Sequence, residues 1–357
     1  MSPVRTFTSS VLAPYERGFE FGERYVEQVA RTSAAYRRLF ERRADHPFDV
    51  DEWSERAWTA ISSFSPVHAE EIRGIAEGAG RQVRELAAIN ARTELLVAAN
   101  PTGATECSAV VSLPPGAGPV AVQTWDWYDA MSEGWLHWRI PYPDGRTVQT
   151  VTEFGMLAKV GVSSAGVGVL LTMLHHENDA KAAAEEQIGF PVHLLSRSVL
   201  ERADSTAEAW TLLAEPPVSA STSLTVVDRS GDAASVELFP GGPGVLAPTD
   251  GLLVRTNHFV SDAGRDGCLA HTISTSTQVR RDALLKAYAG SRPASSAEVI
   301  DGMRHHHAEG GVCSHVDERT DPSLWHRTLA TVALDVTAGT LDVRPDGPCG
   351  AKSDGNC

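Results

Sequence analysis

Between Arg17 and Arg43 the apolar positions Tyr25, Val29, Ala35, Tyr36 and Leu39 return at near-helical spacing, with charges between them, which predicts a helix over 17–43. Residues 65–80 open on a serine at an N-cap position, with proline in the first turn and acids soon after. They close on Gly78 and Gly80, the punctuation of a second helix. A third helix is predicted over 82–99, so roughly the first hundred residues read as helical. The period then changes. Short β-rich runs such as "SAVVSL", "PVAVQTW", "GRTVQTVTEF" and "SLTVVDR" come next, separated by Gly, Pro and Asp-Gly turns. "LAKVGVSSAGVGVLLTML" reads as two strands with a tight turn and fits no phosphate-loop pattern. Among the strands lie a helical pair at 191–215 and helices at 274–290 and 295–311. The chain closes on a hairpin turning near Ala338-Gly339. Clustered strands interrupted by helices predict stacked sheets with helical layers outside, although the periodicity leaves other α+β arrangements open.

Composition narrows the partners. The 357 residues suit one large domain or two small ones, and 42% hydrophobic content supplies a core. The net charge of −15 disfavours phosphate backbones and anionic lipid surfaces, so neither nucleic acid nor membrane is an expected partner. The N-terminal stretch lacks a signal-peptide core, and no run approaches the ~18 apolar residues of a membrane span, so a cytoplasmic location is expected. The five cysteines make no CxxC pair and no disulfide framework. Cys349 and Cys357 could close a small loop in the tail, but a solvated tail over 351–357 is the expectation. Cys268 and Cys313 read as structural.

Candidate chemistry gathers at Cys107, which leads a strand-like run. A lone thiol beside a strand is ordinarily a packed structural cysteine. It becomes a nucleophile if the preceding bond is cut, because the new α-amine, with a pKa of about 7.7–8.0, can take the thiol proton without any histidine. Downstream, half of the eight tryptophans fall at Trp125, Trp127, Trp135 and Trp138, around Asp126. In a strand Trp125 and Trp127 share one face and Asp126 points to the other, where it needs a partner or a cleft. Asn257 and His258 end an apolar run; an asparagine there either caps a turn or donates to an oxyanion. The His175–Asn178 stretch reads as a polar turn. His305, His306 and His307, with Cys313 and His315, raise the question of a metal. On a helix three adjacent histidines point about 100° apart and cannot converge, so none is expected.

Seven stretches, in order, resemble the acyl-coenzyme A:6-aminopenicillanic acid acyltransferase family of autoproteolytic cysteine peptidases, within the N-terminal nucleophile hydrolases. They are "EEIRGIAEGAG", "NARTE", "ECSAV", "QTWDW", "RTNHF", "MRHHHAEGGVCSHVD" and "TLATVALDVTAGTLDVRPDGPC". The resemblance implies a four-layer αββα sandwich. It implies a cut between Glu106 and Cys107 that yields a mainly helical small chain (1–106) and a catalytic core (107–350), the two remaining together as a heterodimer that could assemble further. Cys107 would be the nucleophile, Asp126 would hold the new amine or the nucleophile, Asn257 would serve the oxyanion, and Arg327 is the expected distal arginine. Trp125, Trp127 and His258 are expected around the substrate. The reaction implied is hydrolysis or acyl transfer on a small amide or thioester. It needs no resident cofactor and no metal, with a coenzyme A thioester as a possible acyl donor. The family usually carries glycine before the cysteine; Glu106 stands here instead, and a neighbouring carboxylate opposes thiolate formation. Two other readings stand beside this one: a metal-dependent hydrolase built on the His305–His315 region, and an uncleaved binding protein with Cys107 inert.

Overall fold

The computed structural model describes residues 4–102, 107–273, 276–306 and 311–350, with Leu324 described in its backbone only. Glu106, His307 and Cys357 therefore lie outside the described residues.

Six helices precede Cys107: α1 (Pro14–Arg24), α2 (Val26–Arg43), α3 (Val50–Phe64), α4 (Pro66–Gly78), α5 (Val83–Asn90) and α6 (Arg92–Ala99). The helix predicted over 17–43 is thus two, broken at Tyr25, and the one over 82–99 is two, broken at Ala91. Neither break carries proline or glycine, so packing sets both. Helix α3 is additional to the predicted set. Its Asp49 cap accepts the backbone N–H groups of Asp51 and Glu52. Helices α1 and α4 cross with backbones in contact: a Cβ on Gly18 would strike the Glu71 carbonyl, and one on Gly74 the Tyr15 carbonyl. The glycines of "RGFEFG" and "GIAEG" are the price of that approach.

Thirteen strands form two sheets among the described residues. The larger sheet runs β1 (Thr6–Thr8), β4 (Trp135–Pro141), β5 (Thr147–Glu153), β6 (Val160–Ser163), β7 (Val167–Met173), β8 (Thr222–Asp228), β9 (Ala233–Phe239) and β10 (Gly242–Leu246). The smaller runs β11 (Leu252–Arg255), β2 (Cys107–Ser112), β3 (Val120–Tyr128), β12 (His326–Asp335) and β13 (Thr340–Pro345). All pairs are antiparallel except β1 with β4. The sheets face each other, with Gly168 of β7 lying beneath Leu334 and Val336. Gln123 of β3 bridges the gap: its amide donates to the Leu171 carbonyl and accepts the Leu171 N–H. Helices α7 (Glu177–Ala184), α8 (Val192–Arg202) and α9 (Thr206–Ala214) come after β7, with α8 and α9 on the outside of the larger sheet. After α10 (Asp262–Arg265) and α11 (Ala270–Ile273), α12 (Ser276–Ala287) and α13 (Ser296–Gly302) pack on the smaller. The fold is a four-layer αββα sandwich. Because both faces of its sheets are covered, β2 and β3 are buried along their whole length rather than alternating.

The segment before Cys107 is bound tightly to the rest of the chain. Buried Glu71 of α4 takes Arg17 of α1 on one side and Arg197 of α8 on the other. In "NARTE", Asn90 donates to the Gly155 carbonyl and accepts the Leu157 N–H, Arg92 pairs with Glu153 at 3.2 Å, and Glu94 accepts the Val192 N–H. One further expectation changes: the helix over 295–311 ends at Gly302, so His305 and His306 are not helical.

Candidate active site

Strand β2 begins at Cys107, between β11 and β3. On one side Cys107 sits opposite Trp125. On the other, β11 ends at Arg255 opposite Ala109, and continuing that register brings position 257 opposite 107. There a side chain replaces the ladder: Asn257 Oδ1 accepts the Cys107 backbone N–H at 2.8 Å. Asn257 is itself pinned, because Nδ2 donates to the Met173 carbonyl at 2.9 Å and its backbone N–H donates to Thr277 Oγ1 at 2.8 Å. Two donors on Oδ1 and one acceptor on Nδ2 fix which way the amide points.

The second donor on Oδ1 is Arg280, which sequence reasoning missed. From α12 its Nη2 reaches Asn257 Oδ1 at 2.8 Å, and its Nη1 reaches the Cys107 carbonyl at 2.6 Å and Ser108 Oγ at 2.9 Å. Thr277, one turn earlier on the same helix, holds the Asn257 backbone, so a single element fixes both partners of Cys107. Arg327, the expected distal arginine, is committed elsewhere: on β12 its guanidinium binds Asp129 at 2.5 Å and also Asp346.

The thiol is buried, 3.9 Å from the Asp126 carbonyl oxygen. Burial pushes it up to about 11; the buried Asp126 carboxylate adds to this, while the charges of Lys159 and Arg280 oppose it. Lys159 is the other residue that the sequence did not announce. Its Nζ lies 3.5 Å from the centre of the Trp125 ring and 3.6 Å from Glu153. Burial holds its amine well below the usual lysine range, with the Arg92 charge acting the same way.

The residues expected around the substrate are each held by close neighbours. Trp125 is buried edge-on against Trp135 and under the Lys159 ammonium. Trp127 is buried with its indole N–H on the Tyr36 hydroxyl at 3.1 Å, and Tyr36 in turn binds Glu153. His258 is half-buried, with Nδ1 between the hydroxyls of Thr256 and Thr277; burial, then Arg255, pushes its imidazole down to about 4. His176 is no plain turn residue: it caps α7 and binds the Asp266 carbonyl. Among the described residues, no helix is long and apolar enough to cross a membrane.

Residues 120–349 match the family described as acyl-coenzyme A:6-aminopenicillanic acid acyl-transferase, a span that begins after Cys107. The 40 kDa form of acyl-coenzyme A:6-aminopenicillanic-acid-acyltransferase from Emericella nidulans is 32% identical over 235 residues, 64% of this chain and 62% of that protein. The chain thus spans about three fifths of that relative's length. Two solved structures are more distant. The N-acylethanolamine-hydrolyzing acid amidase ortholog of Caenorhabditis elegans has a TM-score of 0.49 at 12% identity, over 67% of this chain and 100% of that one. Penicillin V acylase from Agrobacterium tumefaciens has a TM-score of 0.43 at 16% identity, over 67% and 83%.

Proposed function

Because the chain belongs to the acyl-coenzyme A:6-aminopenicillanic acid acyl-transferase family, we propose that it is a self-cleaving amidase or acyltransferase that works through a Cys107 acyl-enzyme. The observation that carries this reading is the backbone nitrogen of residue 107. It already rests on a dedicated side-chain acceptor, Asn257, which Arg280 braces together with the Cys107 carbonyl. Cutting the preceding bond would turn that nitrogen into an α-amine held in place beside the thiol.

A local base is what the thiol needs. With its pKa at about 11, roughly one thiol in 10⁴ is ionised at pH 7. In the precursor, Sγ attacks the Glu106 carbonyl carbon, the peptide C–N bond breaks, and the Cys107 nitrogen takes the proton. Water then hydrolyses the thioester to a Glu106 carboxylate and a free thiol. In the mature protein the neutral α-amine takes the thiol proton as Sγ attacks the acyl donor, and it returns that proton to the leaving amine or thiol. Water or an acceptor amine resolves the acyl-enzyme by the same relay. Asn257 Oδ1 accepts from the amine and aims its lone pair; this is a different task from the expected oxyanion donation, since its Nδ2 is directed at Met173. Arg280 supplies positive potential where the thiolate forms, the Lys159 amine adds to it in its protonated form, and Asp126 tempers it. The acyl donor is a small amide or a thioester such as that of coenzyme A.

The test is intact-mass analysis after incubation with acyl p-nitroanilides and acyl-coenzyme A thioesters. The expected result is an acyl increment on the peptide beginning at Cys107, with release of p-nitroaniline or free coenzyme A. Turnover that persists undiminished in Cys107→Ala would sink the reading.

A further inference from the structure

Four soft donor atoms converge on the flank of the smaller sheet, none of them used in the chemistry described above. They are His306 Nε2, Cys313 Sγ, His315 Nε2 and Cys349 Sγ, all within 4.8 Å of one another. The imidazole nitrogens are 3.1 Å apart, the sulfurs 3.4 Å, and His315 Nε2 lies 3.6 Å from Cys313 Sγ and 3.5 Å from Cys349 Sγ. A tetrahedral zinc ion with Zn–S of about 2.3 Å and Zn–N of about 2.0–2.1 Å requires ligand separations of about 3.4 Å (N–N), 3.6 Å (N–S) and 3.8 Å (S–S). These four separations match that shell to within a few tenths of an ångström, and the two from His306 to the sulfurs are no more than 4.8 Å, so a small shift of the His306 ring would complete it.

The scaffold delivers three of these donors from the segment between α13 and β12 and the fourth from the turn after β13. Cys313 is held by its N–H on the His305 carbonyl, and the adjacent Ser314 exchanges hydrogen bonds with Thr328, donating to its hydroxyl and accepting its N–H. Cys349 sits in a turn closed by the Gly350 N–H on the Gly347 carbonyl, and Arg304 binds the Pro348 carbonyl beside it. Gly347 is required for this approach, because a Cβ there would collide with Cys313 Sγ. The cysteines are thiols, not a disulfide. The expectation that the histidines cannot converge assumed a helix through all three. The helix stops at Gly302, and it is one of them, His306, that meets His315 and two cysteines.

We propose that this cluster is a structural zinc site of Cys₂His₂ type. Two thiolates and two imidazoles select zinc over hard cations. Four protein ligands close the coordination sphere and leave no position for a reacting water, so the site fastens rather than catalyses. What it fastens is the end of β13 and the loop before β12 to Thr328, the residue opposite Asp126 in the β12–β3 pairing.

The experiment uses the full chain, carrying no polyhistidine tag, grown with zinc and dialysed against a weak chelator. Elemental analysis should find about one zinc per chain. Cobalt(II) exchanged into the protein should show the visible absorption and sulfur-to-metal charge transfer of tetrahedral thiolate coordination. Cys349→Ser and His315→Ala, both at partly exposed or exposed positions, should each reduce zinc content severalfold and abolish the cobalt spectrum, while Cys268→Ser keeps both. A strong chelator should lower the melting temperature of the wild type but not of Cys349→Ser. The proposal is overturned if the wild type holds well under one zinc per chain, if the two variants load normally, or if anaerobically handled protein carries a Cys313–Cys349 disulfide.

Discussion

Asn257 accepts the Cys107 N–H through an oxygen, so its substitutions separate positioning from stability. Asn257→Ala removes the acceptor and leaves the Arg280 guanidinium facing a void; turnover should fall by about 10²–10⁴, the contribution of a positioned acid–base group whose aim is lost. Asn257→Asp keeps the shape and adds a negative charge beside the α-amine. That favours the protonated amine, raises its pKa, and should move the acidic limb of the kcat/KM–pH profile to higher pH. An unmoved limb would take the amine out of the role of base. Arg280→Met should impair maturation and turnover together, whereas Arg327→Met, which frees Asp129 and Asp346 at the surface, should leave both nearly intact. The contrast marks what the sequence made legible. Cys107, Asp126 and Asn257 were legible through the family resemblance of "ECSAV", "QTWDW" and "RTNHF", since each alone also suits a structural role. Arg280 stands in "STQVRRDALLKA", where an arginine is unremarkable until the chain folds α12 onto the end of β2.

The elements were readable where one physical signal dominated. Strands β6, β7, β12 and β13 are marked by apolar runs bounded by glycine turns, and α4 by its proline and glycine punctuation. The breaks at Tyr25 and Ala91 were not, because no residue there resists a helix; the bends arise from packing partners far along the chain. The Glu71 knot is such a contact, joining α1, α4 and α8. Burial raises the Glu71 carboxyl, but Arg197 and Arg17 outweigh it and hold the group below its ordinary range. Glu71→Gln leaves two buried guanidiniums short of a counter-charge and should cost about 3–5 kcal/mol in denaturant unfolding at neutral pH. A depressed carboxylate stabilises fully above its unfolded pKa of about 4.3, and the benefit fades as pH falls through the folded value. The gap between variant and wild type should therefore narrow in acid. A gap that widened there would mean Glu71 is not the ionised centre of the knot.

For the whole molecule the prediction is a chain in two inseparable pieces. N-terminal sequencing should read Cys107 on the larger one, and the pieces should co-elute until denatured, since the helices before the cut supply Glu71, Asn90 and Arg92 to partners after it. Cys107→Ala should remain full-length and inactive, and Cys107→Ser should cut slowly. With the thiol raised to about 11, cutting of the wild type should quicken as pH rises toward that value. A full-length wild-type chain that turns over substrate would refute self-activation.

The Arg280–Cys107 contact also bears on timing. The two residues are 173 positions apart, so the nucleophile leaves the ribosome long before the arginine that braces it exists. At ~5–20 residues per second that interval is roughly 9–35 s. Throughout it the nascent segment carries an ordinary, unaligned thiol, so the proposed cut would have to wait until synthesis has passed Arg280. On the proposed mechanism the helices before Cys107 are thus made, and can dock, as part of one covalent molecule, and severing would come only after continuity has ceased to matter.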